Sequence, residues 1–293
     1  VWEAKAMNII FLQSKGLNAG NLEYKEGMQR AMTRLGHNVL TWGIGHESYD
    51  TPWPTTVQKF KPDVILCCED YDRKKWVPNF WGVRCLKVFW SMDSHLAFAK
   101  HLQACNKQKV NLVLVAMDSM VDKFKGRHRD AVFFPNSFPA DLMDKSSALK
   151  EYDIGFCGHI VNRGQWLNEI SKQIPMRLDI SVIGEAMVRS LNSYRIGWNR
   201  NISFDINCRT FETLGAGTFL LTNETDRISD LFEDGKHLVY YHTIEDCIDK
   251  ARYYLKHPAK REAIAAAGHD HAHANHSYDA RALEFIKLVE ERV

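Results

Sequence analysis

The sequence predicts an α/β protein made of two consecutive parallel-sheet domains. Three observations carry that reading. Short apolar runs alternate with stretches of helical spacing up to about residue 134. The alternation breaks in a polar stretch that contains prolines, and then resumes to the C-terminus. The chain has 293 residues, enough for two domains of about 100–200 residues each. Continuous apolar runs are what parallel strands look like, because crossover helices cover both faces of their sheet.

In the first half, Met7–Gln13 (MNIIFLQ) is an apolar run bounded by the Gly-containing stretch Lys15–Asn21, and reads as a buried strand. Asn21 can cap a helix whose Tyr24, Met28, Ala31, Met32 and Leu35 fall at helical spacing, with Gly36 at its exit. Further strands are expected at Asn38–Ile44, Asp63–Cys68, Cys85–Trp90, Asn111–Ala116 and Ala131–Phe134, with helical pattern between several of them, as in Leu96–Ala104.

Pro135–Tyr152 has two prolines and no sustained apolar run, so it reads as a linker. The second half then gives strands at Ile154–Cys157, Leu178–Ile183, Phe219–Thr222 and Leu238–Tyr241. Helices are expected at Gln165–Gln173, Asn207–Leu214 and Asp226–Phe232. Thr243 and Asp246 resemble a capping box before the helix Ile244–Lys256. Pro258 restarts a helix toward Ala267, and a final amphipathic helix runs from about Tyr278 to Glu291. Open parallel sheets bind ligands beyond the carboxyl ends of their strands. Two of them in succession imply a cleft with one substrate on each side.

Composition narrows the function classes. Apolar residues are 45% and charged residues 25%, which excludes a disordered or coiled-coil chain. No run approaches the roughly 20 apolar residues of a membrane helix, and VWEAKA before Met7 does not open like a signal peptide. The formal charge of +2 gives no overall pull toward nucleic acid. Seven cysteines, an odd number without C-x-x-C spacing, read as reduced thiols and point to the cytoplasm.

The stretch richest in chemistry is Asp205–Thr222 (DINCRTFETLGAGTFLLT). Asn207 is a good N-cap for a helix of about two turns starting at Cys208. A helix N-terminus presents unpaired N–H groups and a partial positive charge, which suits a diphosphate. Arg209 and Glu212 are three apart and share a face. They form either an ordinary surface ion pair or a grip in which the guanidinium meets phosphate and the carboxylate meets ribose hydroxyls.

Arg209-Thr-Phe-Glu212-Thr-Leu-Gly-Ala-Gly217, Leu231-Phe-Glu-Asp-Gly-Lys-His237, Tyr253-Tyr-Leu-Lys-His-Pro258, Ala267-Gly268 and His276-Ser-Tyr278 resemble the C-terminal half of the group 1 glycosyltransferases, and most of all their short spore-maturation-type branch. Phe134-Pro-Asn136 is similar to that superfamily's end-of-domain motif, and Ile154-Gly-Phe-Cys-Gly158 to the opening of its second domain. The resemblance covers roughly residues 130–280 and leaves the first half with only its strand–helix rhythm.

The resemblance implies GT-B architecture: a Rossmann-like acceptor domain at 7–137, a linker at 138–152, a nucleotide-sugar domain at 153–276, and a helix at 277–293 returning to the first domain. It implies transfer from a nucleotide-diphosphate sugar to a hydroxyl acceptor, whether glycan, small molecule or modified DNA base, with retention and without metal or other cofactor. Carried over, Glu212 holds the ribose, while Arg209, Asn207, Cys208 and the helix end face the diphosphate. Arg163, in the loop Gly158–Gly164, falls where the family places a phosphate-binding basic residue. Many relatives carry a second glutamate eight positions before the ribose glutamate; here Phe204 stands there, with Asp205 the nearest carboxylate.

Weaker candidates complete the set. Gly16, in the loop after the first strand, could admit a phosphate or the acceptor. Asp93 and His95 follow a strand directly and could orient the acceptor hydroxyl, or serve as a helix cap and a surface histidine. His269, His271, His273 and His276 lack a completing ligand for zinc, and Glu69, Asp70 and Asp72 read as a loop after the third strand. Lys107, Lys109, Lys123, Lys125, Arg127 and Arg129 could form a basic patch for DNA. A degenerate module that binds without turnover is the remaining alternative.

Overall fold

The computed structural model describes residues 6–14, 22–69, 76–127, 130–143 and 150–293. It divides into two compact units, residues 1–135 with 281–293 and residues 136–280.

In the first unit the chain runs β1 (Asn8–Leu12), α1 (Leu22–Arg34), β2 (Asn38–Trp42), α2 (Trp53–Phe60), β3 (Val64–Cys68), β4 (Leu86–Ser91), α3 (Ser94–Gln108), β5 (Leu112–Val115), α4 (Asp118–Lys125) and β6 (Ala131–Phe133). The strands form one parallel sheet in the order β2-β1-β3-β4-β5-β6. Its central strands are apolar and buried along their length, as a doubly covered sheet requires. Trp42, Trp76, Phe80, Phe89 and Phe124 fill the core on one face.

The second unit runs β7 (Tyr152–Gly158), α5 (Gly164–Gln173), β8 (Met176–Ile180), α6 (Gly184–Ser193), β9 (Tyr194–Trp198), α7 (Cys208–Gly215), β10 (Phe219–Asn223), α8 (Ile228–Leu231), β11 (Val239–Tyr241), α9 (Ile244–Lys256) and α10 (Pro258–His276). All five strands are parallel, in the order β11-β10-β9-β7-β8. Phe156, Trp198, Phe219 and Tyr241 anchor its core. The final helix, α11 (Tyr278–Glu290), starts in this unit and belongs to the first from Arg281 onward. There Arg281 lies over the Phe134 ring at 5.5 Å, and Arg292 Nε donates to Asp130 Oδ2 at 2.7 Å.

Several expectations change. The helix expected at Asp226–Phe232 is one turn, Ile228–Leu231, and the strand expected at Leu178–Ile183 is Met176–Ile180. Helices α2, α4 and α6 and strand β9 have no counterpart in the sequence reading. The stretch read as linker is not all spacer: Phe138 and Met143 are fully buried, and Phe138 O accepts from Tyr278 N at 2.9 Å. Two isolated large side chains anchor this segment without periodic structure, and a pattern search cannot detect that.

Candidate functional site

The second unit concentrates polar groups at the carboxyl ends of β9 and β10, where α7 begins. Asn207 caps α7, its Oδ1 accepting from Thr210 N at 3.3 Å. Around the cap lies a buried hydrogen-bond network. Asn199 Nδ2 donates to Asn201 Oδ1 (3.3 Å), Thr210 Oγ1 (3.2 Å) and Thr222 Oγ1 (3.2 Å), while Asn199 Oδ1 accepts from Asn207 Nδ2 (3.2 Å). Asn201 Oδ1 accepts from Asn207 N at 3.1 Å and from Thr210 Oγ1 at 3.2 Å. Tyr241 Oη donates to Asn199 O at 2.8 Å. The amino end of α7 is therefore tied to two strand ends by largely buried groups, and such satisfied networks fix a single geometry.

Arg209 and Glu212 sit one turn apart on α7 and form an ion pair. The Glu212 side chain is 3% exposed and that of Arg209 17%, so the pair opens at the arginine end. The contact lacks hydrogen-bond geometry: Glu212 Oε2 and Arg209 Nε and Nη1 are buried polar atoms without a hydrogen bond. A buried carboxylate in that condition has acceptor capacity to offer a ligand. Burial pushes the Glu212 carboxyl up to about 8 and holds Arg209 below its ordinary value.

Arg163 precedes α5 and reaches across to the β9–α7 loop, its Nε donating to Arg200 O at 2.9 Å and its Nη1 to His159 O at 3.1 Å. Burial lowers its pKa, partly offset by Tyr241 and Asp205. Arg163 is thus held against the loop that leads into α7, within electrostatic reach of Asp205 and Arg209. Asp205 is half-buried in the same loop, its N–H donating to Ile202 O at 3.3 Å, and Cys208 is half-buried in the first turn of α7 and in no disulfide. Phe204 is 64% exposed, so the position where relatives carry a glutamate presents a ring to solvent. The structure brings Glu212, Arg209, Arg163, Asp205, Asn207 and Cys208 together.

The remaining candidates lie in the first unit. Asp93 precedes α3 without a side-chain cap, and Glu69 Oε2 accepts from the backbone N–H of Met92 (2.8 Å) and Asp93 (2.6 Å). Nδ1 of His95 lies 3.1 Å from Met117 Sδ. Gly16, Asp70, Asp72 and Arg129 lie outside the described residues. Lys107, Lys109, Lys123, Lys125 and Arg127 are exposed, but they end α3 and α4 and so sit before β5 and β6. That is the amino end of the sheet, opposite the end where such sheets take ligands.

The histidines have structural partners. His273 Nε2 bonds Gly215 O at 3.0 Å, at the carboxyl end of α7, and His271 Nε2 bonds Leu231 O at 2.8 Å. Among the described residues no three His, Cys, Asp or Glu side chains group to hold a metal ion.

A family model described as "Glycosyl transferase-like" matches residues 140–287, half of the chain. The chain belongs to this glycosyl transferase-like family. It is a glycosyltransferase of the GT-B fold, and solved structures agree in architecture. Sucrose-phosphate synthase from Thermosynechococcus elongatus superposes with a TM-score of 0.70 at 10% identity, covering 97% of this chain and 98% of that one. Anabaena HepE in complex with UDP and glucose gives 0.67 at 10% identity, covering 97% and 99%. The β-glucosyltransferase of T4 phage gives 0.67 at 14% identity, covering 97% and 99%. At such identities the likeness carries the fold alone. No curated protein matches the chain at a significant level.

The asparagine network of the transferase escaped the sequence reading. Asn199, Asn201 and Thr222 are scattered polar residues at strand ends, with no motif to signal that they converge. Glu69, read as part of a plain loop, anchors the backbone at Asp93.

Proposed function

We propose that this glycosyltransferase takes its sugar from a uridine-diphosphate sugar and passes it to a hydroxyl acceptor, with retention and without a metal. We place it in the short spore-maturation-type branch. The observation that carries the reading is Glu212: a buried carboxyl that faces Arg209 and has no hydrogen bond at Oε2, one turn inside a capped helix at the strand ends. In this reading the ribose hydroxyls donate to Glu212. The diphosphate meets the α7 N-terminus, Arg209 and Arg163, and the charge that develops on the leaving diphosphate is stabilised there. Asp205 meets the transferred sugar in place of the glutamate that Phe204 replaces, and Asp93 and His95 orient the acceptor. The UDP bound in the HepE structure supports uridine as the base. Seven cysteines outside any disulfide support a cytoplasmic location.

A donor screen tests this. UDP-, GDP- and ADP-sugars are incubated with the protein, and release of nucleoside diphosphate is followed. Turnover with UDP-sugars in EDTA is expected; turnover only with another base, or only with added divalent cation, contradicts it.

A second reading takes a modified base in DNA as the acceptor. The first unit carries 22 basic against 16 acidic residues, and the second 16 against 20. One structural neighbour is a glucosyltransferase in complex with UDP-glucose and DNA. Retention on duplex DNA that falls steeply with salt supports this reading, and no retention at low salt discards it.

A further inference from the structure

At the other end of the second unit's sheet, away from the amino end of α7, lies a cavity of about 480 Å³. It opens where the strands begin: Lys150 precedes β7, Arg195 is the second residue of β9, and Gly217 and Phe219 lead into β10. The far wall is α10, which contributes Arg261, Glu262, Ala265 and Ala266.

Among the described residues three cations and one carboxylate, Glu262, line this apolar-walled space. The Arg261 side chain is only 8% exposed, with Nη1 donating to Tyr254 O at 2.9 Å. Its carboxylate partner, Glu262, is 73% exposed and meets it at 3.4 Å, so the ion pair is largely screened by water. Arg195 Nη1 meets Asp153 at 3.0 Å, again at an exposed carboxylate. Lys150 Nζ donates to Thr218 Oγ1 at 3.0 Å. Burial holds Arg261 below its ordinary value, with Arg195 adding to the effect and Glu262 and Asp153 opposing it. Holding like charges beside a half-enclosed apolar wall is unfavourable, and an anion in the cavity relieves it. Guanidinium groups pair with phosphate oxygens in bidentate fashion, and the Phe219 and alanine wall offers an apolar surface to whatever carries the phosphate. The volume is that of a small-molecule site.

We propose that this cavity is a second ligand site, binding an organic phosphate monoester with its phosphate on Arg261, Arg195 and Lys150 and its apolar body against Phe219 and Ala266. The site is separate from the α7 site and does not depend on the reading of that one.

Isothermal titration with phenyl phosphate, inorganic phosphate and phenol tests it on the whole chain. Phenyl phosphate is expected to bind about tenfold more tightly than inorganic phosphate, and phenol not to bind, because both the charge and the apolar body contribute. The Lys150→Ala/Arg195→Ala double variant removes two cations at partly exposed positions, and Ala266→Leu fills the cavity without touching a charge. Each is expected to weaken phenyl phosphate at least about tenfold with circular dichroism unchanged. Absence of phenyl phosphate binding to the unaltered chain overturns the proposal. So does unchanged affinity in both variants, or phenol binding as tightly as phenyl phosphate.

Discussion

Arg209 and Glu212 pair one turn apart on α7, and the glutamate is the buried partner. Burial holds the glutamate protonated up to about pH 8, so the two compensate each other's charge only above that pH. Above about pH 8, where the carboxyl ionises, removing the arginine leaves it without its counter-charge, a change worth about 3 kcal/mol for a buried pair. Arg209→Met is expected to lower stability by that order in urea denaturation above that pH and to weaken nucleoside diphosphate binding. Unchanged stability means that the pair is not the compensating interaction described.

Glu212 also sets a pH dependence. Burial raises its carboxyl from 4.5 to about 8. The folded chain then keeps a proton that the unfolded chain releases, so stability falls as pH rises from about 4.5 toward 8. Glu212→Gln is expected to flatten that slope. In the proposed reading binding has the opposite sign, because the ribose hydroxyls would donate to the ionised carboxylate. Affinity for UDP therefore rises with pH up to about 8 and levels off above it, with proton release that the glutamine variant lacks. Titration calorimetry in buffers of different ionisation enthalpy measures that release.

The asparagine network predicts a positioning effect. Asn199→Ala removes an amide whose two N–H groups are shared among Asn201, Thr210 and Thr222 and whose oxygen accepts from Asn207, tying β9 to α7 and β10. A loss of about 2 kcal/mol in stability is expected, together with weaker UDP binding at a temperature where the variant is fully folded. Asn192→Ala, a buried asparagine on α6 that donates to Val188 O, is the control: it costs stability but leaves UDP affinity unchanged. Equal affinity losses in both variants contradict the positioning role.

Helix α10 packs against α7 through Gly268. A Cβ there would lie 2.1 Å from His237 O and 2.9 Å from Leu214 Cδ2. Backbone cannot yield cheaply, so Gly268→Ala is expected to cost about 3 kcal/mol, read as a lower midpoint in thermal unfolding. Gly164→Ala, where a Cβ meets nothing within 4 Å, is the matched control.

Much of this architecture was legible in the sequence. Buried parallel strands such as Val64–Cys68 and Leu112–Val115 are apolar at every position, so they announced themselves. Strand β9, Tyr-Arg-Ile-Gly-Trp, hid because Arg195 and Gly197 interrupt the run; Gly197 is required where a Cβ would lie 2.6 Å from Thr213 Cγ2. Helix α7 was legible through its cap and its resemblance to a known family. The network holding it was not, because hydrogen bonds between residues 8 to 23 apart leave no periodic trace. The sequence alone left Arg209–Glu212 open between a surface pair and a ligand grip, and burial of the glutamate removes the first option.

The central claim is that Glu212 receives a nucleotide's ribose. Titration calorimetry of UDP against the unaltered chain and Glu212→Ala measures it most directly. The account predicts tight binding to the former and a loss of about 100-fold in the variant, the worth of two hydrogen bonds to a charged group, with the fold intact by circular dichroism. Equal affinity for both proteins would contradict it.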